Sequence, residues 1–158
     1  MKKISILLGL LLIVTSCSEP DNLINDVLDN YTNGAVIRTI ASSGEYNFYA
    51  PATSIFSATI EEHDTEKGAL MQNIEIYVSK NGGTEALFQT LQPSEFTTGP
   101  TGLPRTDISV SLGGAASALG LSSSQYTGGD AIDIRLQLNL TDGRSFSAAD
   151  ATGSMTGS

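Results

Sequence analysis

The sequence predicts an all-β domain, and three observations carry that reading. Apolar residues recur at every second position in several short runs, the signature of strands with one buried and one wet face. The stretches between those runs are rich in Gly, Asn, Asp and Pro, the residues that tight reversals need. Past residue 33, no long segment keeps the spacing of a helix.

Taken in chain order, Val36–Ile40 and Tyr46–Tyr49 read as weak strands. Phe56, Ala58 and Ile60 then alternate with Ser57, Thr59 and Glu61, and Ile74, Ile76 and Val78 with Glu75, Tyr77 and Ser79. Ala86–Leu91 is a further weak strand, reached through Asn81-Gly82-Gly83, whose residues accept positive φ in a tight turn. Pro93, Pro100 and Pro104 mark a longer connection. Ile108, Val110 and Leu112 alternate with Asp107, Ser109 and Ser111, and Ala115–Leu119 offers one helical turn. The longest run sets Ile132, Ile134, Leu136, Leu138 and Leu140 against Asp133, Arg135, Gln137 and Asn139. Thr141-Asp142-Gly143 then turns the chain into Ser145–Ser147. Seven or eight short strands at this spacing predict an antiparallel β-sandwich of immunoglobulin-like or fibronectin-III-like type over residues 34–158.

The first seventeen residues are of another kind. Lys2 and Lys3 precede an apolar run, Ile4 to Val14, broken only by Ser5 and Gly9. That run is shorter than the roughly 20 residues a membrane span needs and has the length of a signal-peptide core. It closes in Val14-Thr15-Ser16-Cys17, which resembles the lipobox of bacterial lipoproteins. The resemblance implies a lipoprotein signal peptide over 1–16, removed by cleavage, and fatty acids of the palmitate kind on Cys17. One acyl chain holds a protein weakly to a bilayer, and two or more hold it firmly. Cys17 is also the sole cysteine, so no disulfide braces the fold. Residues 17–33 read as a lipidated tether, with Leu23, Ile24, Val27 and Leu28 at helical spacing among Asp and Asn.

Directly after the cysteine, Ser18-Glu19-Pro20-Asp21-Asn22 partly resembles the surface-export signal of Bacteroidetes-type lipoproteins. Gly34–Ile40, the stretch Gly99 to Leu121 and Tyr126 to Phe146, with Asn139-Leu140-Thr141-Asp142-Gly143-Arg144, are similar to uncharacterised surface lipoproteins of Bacteroidetes. This resemblance implies an outer-membrane location, facing outward, with a periplasm-facing anchor as the alternative. It also implies a further strand beyond Ser158. It carries over no functional residue.

Removing 16 residues from 158 leaves 142, the size of one ordinary domain. Lys2 and Lys3 leave with the leader, so six basic residues face seventeen acidic ones, a net charge of −11. Such a surface repels phosphate backbones, so nucleic acid is not among the expected partners. Glycans and other surface proteins are.

Two clusters stand out as candidate sites. Glu62, Asp64 and Glu66 follow the strand around Ile60, at an end of the sandwich that Glu95 and Asp142 would share; carboxylates gathered on loops suit Ca2+, the one cofactor considered. No fixed ligand spacing supports it. Tyr77 shares a wet face with Asp133, Arg135, Gln137 and Asn139, a face that could stack on and hydrogen-bond a sugar. Tyr46, Phe48, Tyr49 and Tyr126 are further aromatic candidates. No enzyme is expected: His63 is the sole histidine and no Gly-x-Ser-x-Gly elbow occurs.

Overall fold

The computed structural model describes residues 33–150. The leader (1–16), the tether up to Thr32, Cys17 and residues 151–158 lie outside the described residues. Among the described residues there are eight strands: β1 (Val36–Ser43), β2 (Ile55–His63), β3 (Met71–Lys80), β4 (Ala86–Leu91), β5 (Thr97–Thr98), β6 (Pro104–Ser111), β7 (Ile132–Leu140) and β8 (Ser145–Ser147). They form two four-stranded sheets, ordered β1-β2-β6-β5 and β4-β3-β7-β8, with every pairing antiparallel. The architecture is β-sandwich-like. Ala58, Ile60, Ile108 and Val110 of the first sheet and Ile74, Ile76, Val78, Leu138 and Leu140 of the second join one core cluster. These are the alternating apolar positions of the sequence, and each buried aliphatic side chain stabilises the fold by about 1.5–3 kcal/mol relative to exposure.

Two expectations are corrected, and one strand is added. Tyr46–Tyr49 is not a strand. The Asn47 side chain accepts the Tyr49 amide at 2.9 Å and its carbonyl accepts the Ala50 amide at 3.0 Å, so these groups are spent locally on a turn ahead of Pro51. Leu112 does not extend β6; it begins a seven-residue helix, α1 (Leu112–Ala118), whose N-terminus is capped by the Ser111 hydroxyl accepting the Gly114 amide at 3.1 Å. A strand the alternation did not reveal, β5, is only two residues long and lies in the proline-marked connection.

The turns follow their chemistry. Asn81 and Gly82 sit at φ 53° and 67°, the left-handed pair that a tight reversal after β3 requires.

The interior is not equally closed along β7. Leu138 and Leu140 have essentially no exposure, whereas Ile132, Ile134 and Leu136 are only partly covered. Among the described residues, β8 pairs with Gln137–Asn139 of β7.

Candidate functional site

Register places the candidate sugar face as a ladder across the outer side of β3 and β7. Asn73 stands opposite Asn139, Glu75 opposite Gln137, Tyr77 opposite Arg135 and Ser79 opposite Asp133. Neighbouring side chains then pair with one another. The Arg135 guanidinium lies 4.4 Å from the Tyr77 ring centroid, donates to both Glu85 oxygens at 2.7 Å and to Gln137 Oε1 at 2.9 Å. Its hydrogen bonds hold the Glu85 carboxyl below the usual carboxylate range. The Tyr77 hydroxyl donates to Glu75 Oε2 at 2.9 Å, and that bond raises the Tyr77 pKa. Asn139 Nδ2 donates to Asn73 Oδ1 at 2.8 Å, and Asp133 accepts the Gly82 amide at 2.8 Å. The five residues named from sequence therefore share one face, but Arg135 covers one side of the tyrosine ring. A sugar stacking on that side would have to displace a cation–π contact.

The other aromatic candidates fall into two groups. The Tyr46 hydroxyl donates to the Val110 carbonyl at 3.0 Å, a structural role. Phe48 packs on Tyr126 with ring centroids 5.9 Å apart, and Tyr49 beside them is 99% exposed.

The acidic candidates lie at one end, and the carboxylates of Asp64, Asp142 and Glu95 are each engaged locally, whereas Glu66 is exposed and contributes its backbone amide to Asp64. Asp64 Oδ1 accepts the amides of Glu66 at 2.7 Å and Gly68 at 2.8 Å, and Oδ2 accepts that of Leu70 at 3.1 Å. These three bonds shape the β2–β3 loop. Asp142 reaches the same end, where the Thr141 amide donates to the Leu70 carbonyl at 2.8 Å, but its carboxylate is taken by Arg144 at 2.7 Å. Glu95 turns back to accept the Gln92 amide at 2.6 Å. Among the described residues, no group of three or more His, Cys, Asp or Glu side chains is placed to hold a metal ion.

Glu62 differs from all of these. It has the inward parity of Ile60 and is fully buried; neither carboxylate oxygen meets a donor while the group is ionised, and when protonated it can donate to the neighbouring Asp64. An unpaired charge there would be costly, so burial, together with repulsion from the neighbouring Asp64, pushes its pKa up to about 8. Gly68 closes over it. A Cβ on Gly68 would stand 2.1 Å from Pro104 Cγ and 3.2 Å from Glu62 Oε2, and its φ of +92° is already a glycine conformation.

Glu61 was read as a wet-face residue, and the structure corrects this: its side chain is fully buried. Thr101 Oγ1 donates to it at 2.5 Å, Arg105 Nη2 at 2.6 Å and Nε at 3.2 Å, and Arg38 Nη2 at 2.9 Å. Those bonds, Thr101 and Arg105 first, hold its carboxyl below the usual range. Sequence reasoning missed this clasp because its partners sit on β1, β6 and the loop before β6. The one available signal was the pair of arginines flanking a glutamate on adjacent strands.

His63 is exposed at the end of β2, and no acid–base pair is built around it among the described hydrogen bonds. What the fold and surface define is a two-sheet all-β domain in which the candidate polar side chains of β3 and β7 bind one another. No family model, curated protein or solved structure matches the chain.

Proposed function

We propose that this protein is a lipid-anchored, non-catalytic interaction module displayed on the outer membrane, built on an immunoglobulin-like sandwich. The observation that carries the anchor is Val14-Thr15-Ser16-Cys17 closing a short apolar run behind Lys2 and Lys3. Supporting the immunoglobulin-like reading, the strand orders β1-β2-β6-β5 and β4-β3-β7-β8 correspond to A-B-E-D and C′-C-F-G of such domains. The interaction role is supported by the employment of Asp64, Asp142 and Glu85 in holding turns and arginines, which leaves recognition to surface shape. Cys17→Ala, expressed in a lipoprotein-sorting bacterium, should shift the protein from the membrane fraction to the soluble one. Protease added to whole cells should clip the wild type if it faces outward. Retention of Cys17→Ala in the membrane would overturn the anchor, and full resistance of the wild type would turn the proposal to a periplasm-facing anchor.

One observation favours a second reading, a carbohydrate-binding module. Asn73, Gln137 and Asn139 line up beside Tyr77 as a row of neutral hydrogen-bonding groups. A panel of neutral polysaccharides tested by calorimetry against wild type and Tyr77→Ala decides it. Binding lost in the variant supports it, and no binding removes it.

A further inference from the structure

The turn between β2 and β3 is organised by a buried carboxylate. Asp64, 3% exposed, gathers the amides of Glu66, Gly68 and Leu70 on its two oxygens. Lys67 and Gly68 reverse the chain at φ 56° and 92°. Gly68 packs against Pro104 of β6 on one side and Glu62 Oε2 on the other, with no room for a side chain. The closed loop therefore seals Glu62 from solvent. Among the described residues, the one side-chain hydrogen bond open to Glu62 runs to Asp64, and it exists only while Glu62 carries a proton.

The other charges nearby are turned elsewhere. Glu61 is held by Arg38 of β1 and Arg105 of β6. His63, Glu66 and Lys67 are exposed. Asp142 pairs with Arg144, and Glu95 accepts the Gln92 amide. The charge that acts on Glu62 is that of Asp64, and it repels. Two neighbouring carboxyl groups can share one proton, but two buried carboxylates repel each other with no water between them to screen the charge. Lifting Gly68 off Pro104 is the shortest route by which solvent reaches Glu62. We infer that Glu62 and Asp64 form a proton latch: one shared proton keeps the β2–β3 loop closed on Pro104, and its loss releases the loop. Lys67, Gly68 and Met71 also wall a cleft of about 280 Å³ against Phe96 and Pro104, so release reshapes that cleft. The latch goes beyond the proposed function and depends neither on the lipid nor on a ligand.

The sign follows from the raised pKa of Glu62, about 8 when enclosed against an ordinary 4.5. Closure has its full proton-linked support below the ordinary value and has lost it above about 8. Between these limits the opening equilibrium rises by up to about tenfold per pH unit. Amide hydrogen exchange of the full chain between pH 5 and 8 reads this, each rate being taken relative to an unstructured peptide of the same sequence. Protection at Gly68 and Leu70 should fall by about tenfold or more over that range, while Leu138 in the core stays better protected than either. In Glu62→Gln the neutral amide donates to Asp64 at every pH, and loop protection should hold within about threefold. Loop protection independent of pH in the wild type would overturn the latch. So would loop amides protected no less than Leu138, because the loop would then open only with the whole domain. A pH-dependent fall that persists in Glu62→Gln would assign the effect to another group and overturn it too. Should that variant fail to fold, the carboxyl-carbon NMR shift of Glu62 in the wild type replaces it. A Glu62 carboxyl that titrates in the ordinary carboxylate range would sink the latch, and one that titrates well above it, in step with the loop, would uphold it.

Discussion

Glu61 and Glu62 are adjacent in β2, both fully buried, and opposite in every other respect. Glu61 points away from the core into a clasp of Thr101, Arg105 and Arg38, and its charge is stabilised by them. Glu62 points inward under Gly68 and Pro104, with no donor, and its charge is opposed by burial and by Asp64. One peptide bond separates a carboxylate the fold wants ionised from one it wants protonated. Burial alone therefore says little about an acidic residue; the donors that reach it decide the sign.

The largest effect should come from tightening the region over Glu62. Gly68→Ala puts a methyl into Pro104 and forces a side chain into a left-handed backbone, and it should cost about 3 kcal/mol or more by denaturant unfolding. An unchanged midpoint would mean the loop does not close over Glu62 as described.

Next comes the pH dependence of the two glutamates. Glu62 holds its proton more tightly when folded, with a pKa of about 8 against an ordinary 4.5. Its contribution to stability is fully present below pH 4.5, declines as pH rises through that window, and is lost above about 8. The slope approaches at most 1.4 kcal/mol, roughly, per pH unit. Glu62→Gln should flatten stability between pH 5 and 8.5 and make the variant the more stable form at the upper end. Glu61 behaves in the reverse sense. Its lowered pKa gives a contribution present above the ordinary carboxylate pKa and lost as pH falls below it. Glu61→Gln should blunt acid destabilisation and leave the pH 5–8.5 limb alone. Identical pH profiles for the two variants would break the comparison.

The smallest effect separates the two arginines of the clasp. Arg38 is half exposed, so Arg38→Ala should move the melting temperature by only about 1–2 °C, as a surface ion pair does. Arg105 is more deeply set and donates twice to Glu61, so Arg105→Met should lower it further. Equal losses would mean that the two arginines hold Glu61 alike, and a larger loss for Arg38→Ala would reverse the assignment.

Much of the fold was legible because alternation is a local property. Ile74, Ile76 and Val78, or Leu138 and Leu140, declare their inward face within a few residues, and Tyr77 falls opposite Arg135 once β3 and β7 are paired. What was not legible depended on distant partners or on local competition for the backbone. Glu61 read as wet because Arg38, Thr101 and Arg105 lie 23, 40 and 44 residues away. Tyr46–Tyr49 has the composition of a strand, but Asn47 spends the hydrogen bonds that a sheet would need. At the candidate sugar face the residues were legible and their state was not. That Arg135 lies on the tyrosine follows from its grip on Glu85, a side chain outside the alternating pattern. Of the acidic cluster, its location was legible; the capture of Asp64 by three amides required the closed loop.

The proposed role begins at the sulfur of Cys17. Intact-mass and peptide mass spectrometry of the protein taken from membranes tests it most directly. The account predicts an N-terminus at Cys17 carrying two or three fatty acyl chains, with residues 1–16 gone. An unmodified cysteine within an uncleaved leader would contradict it.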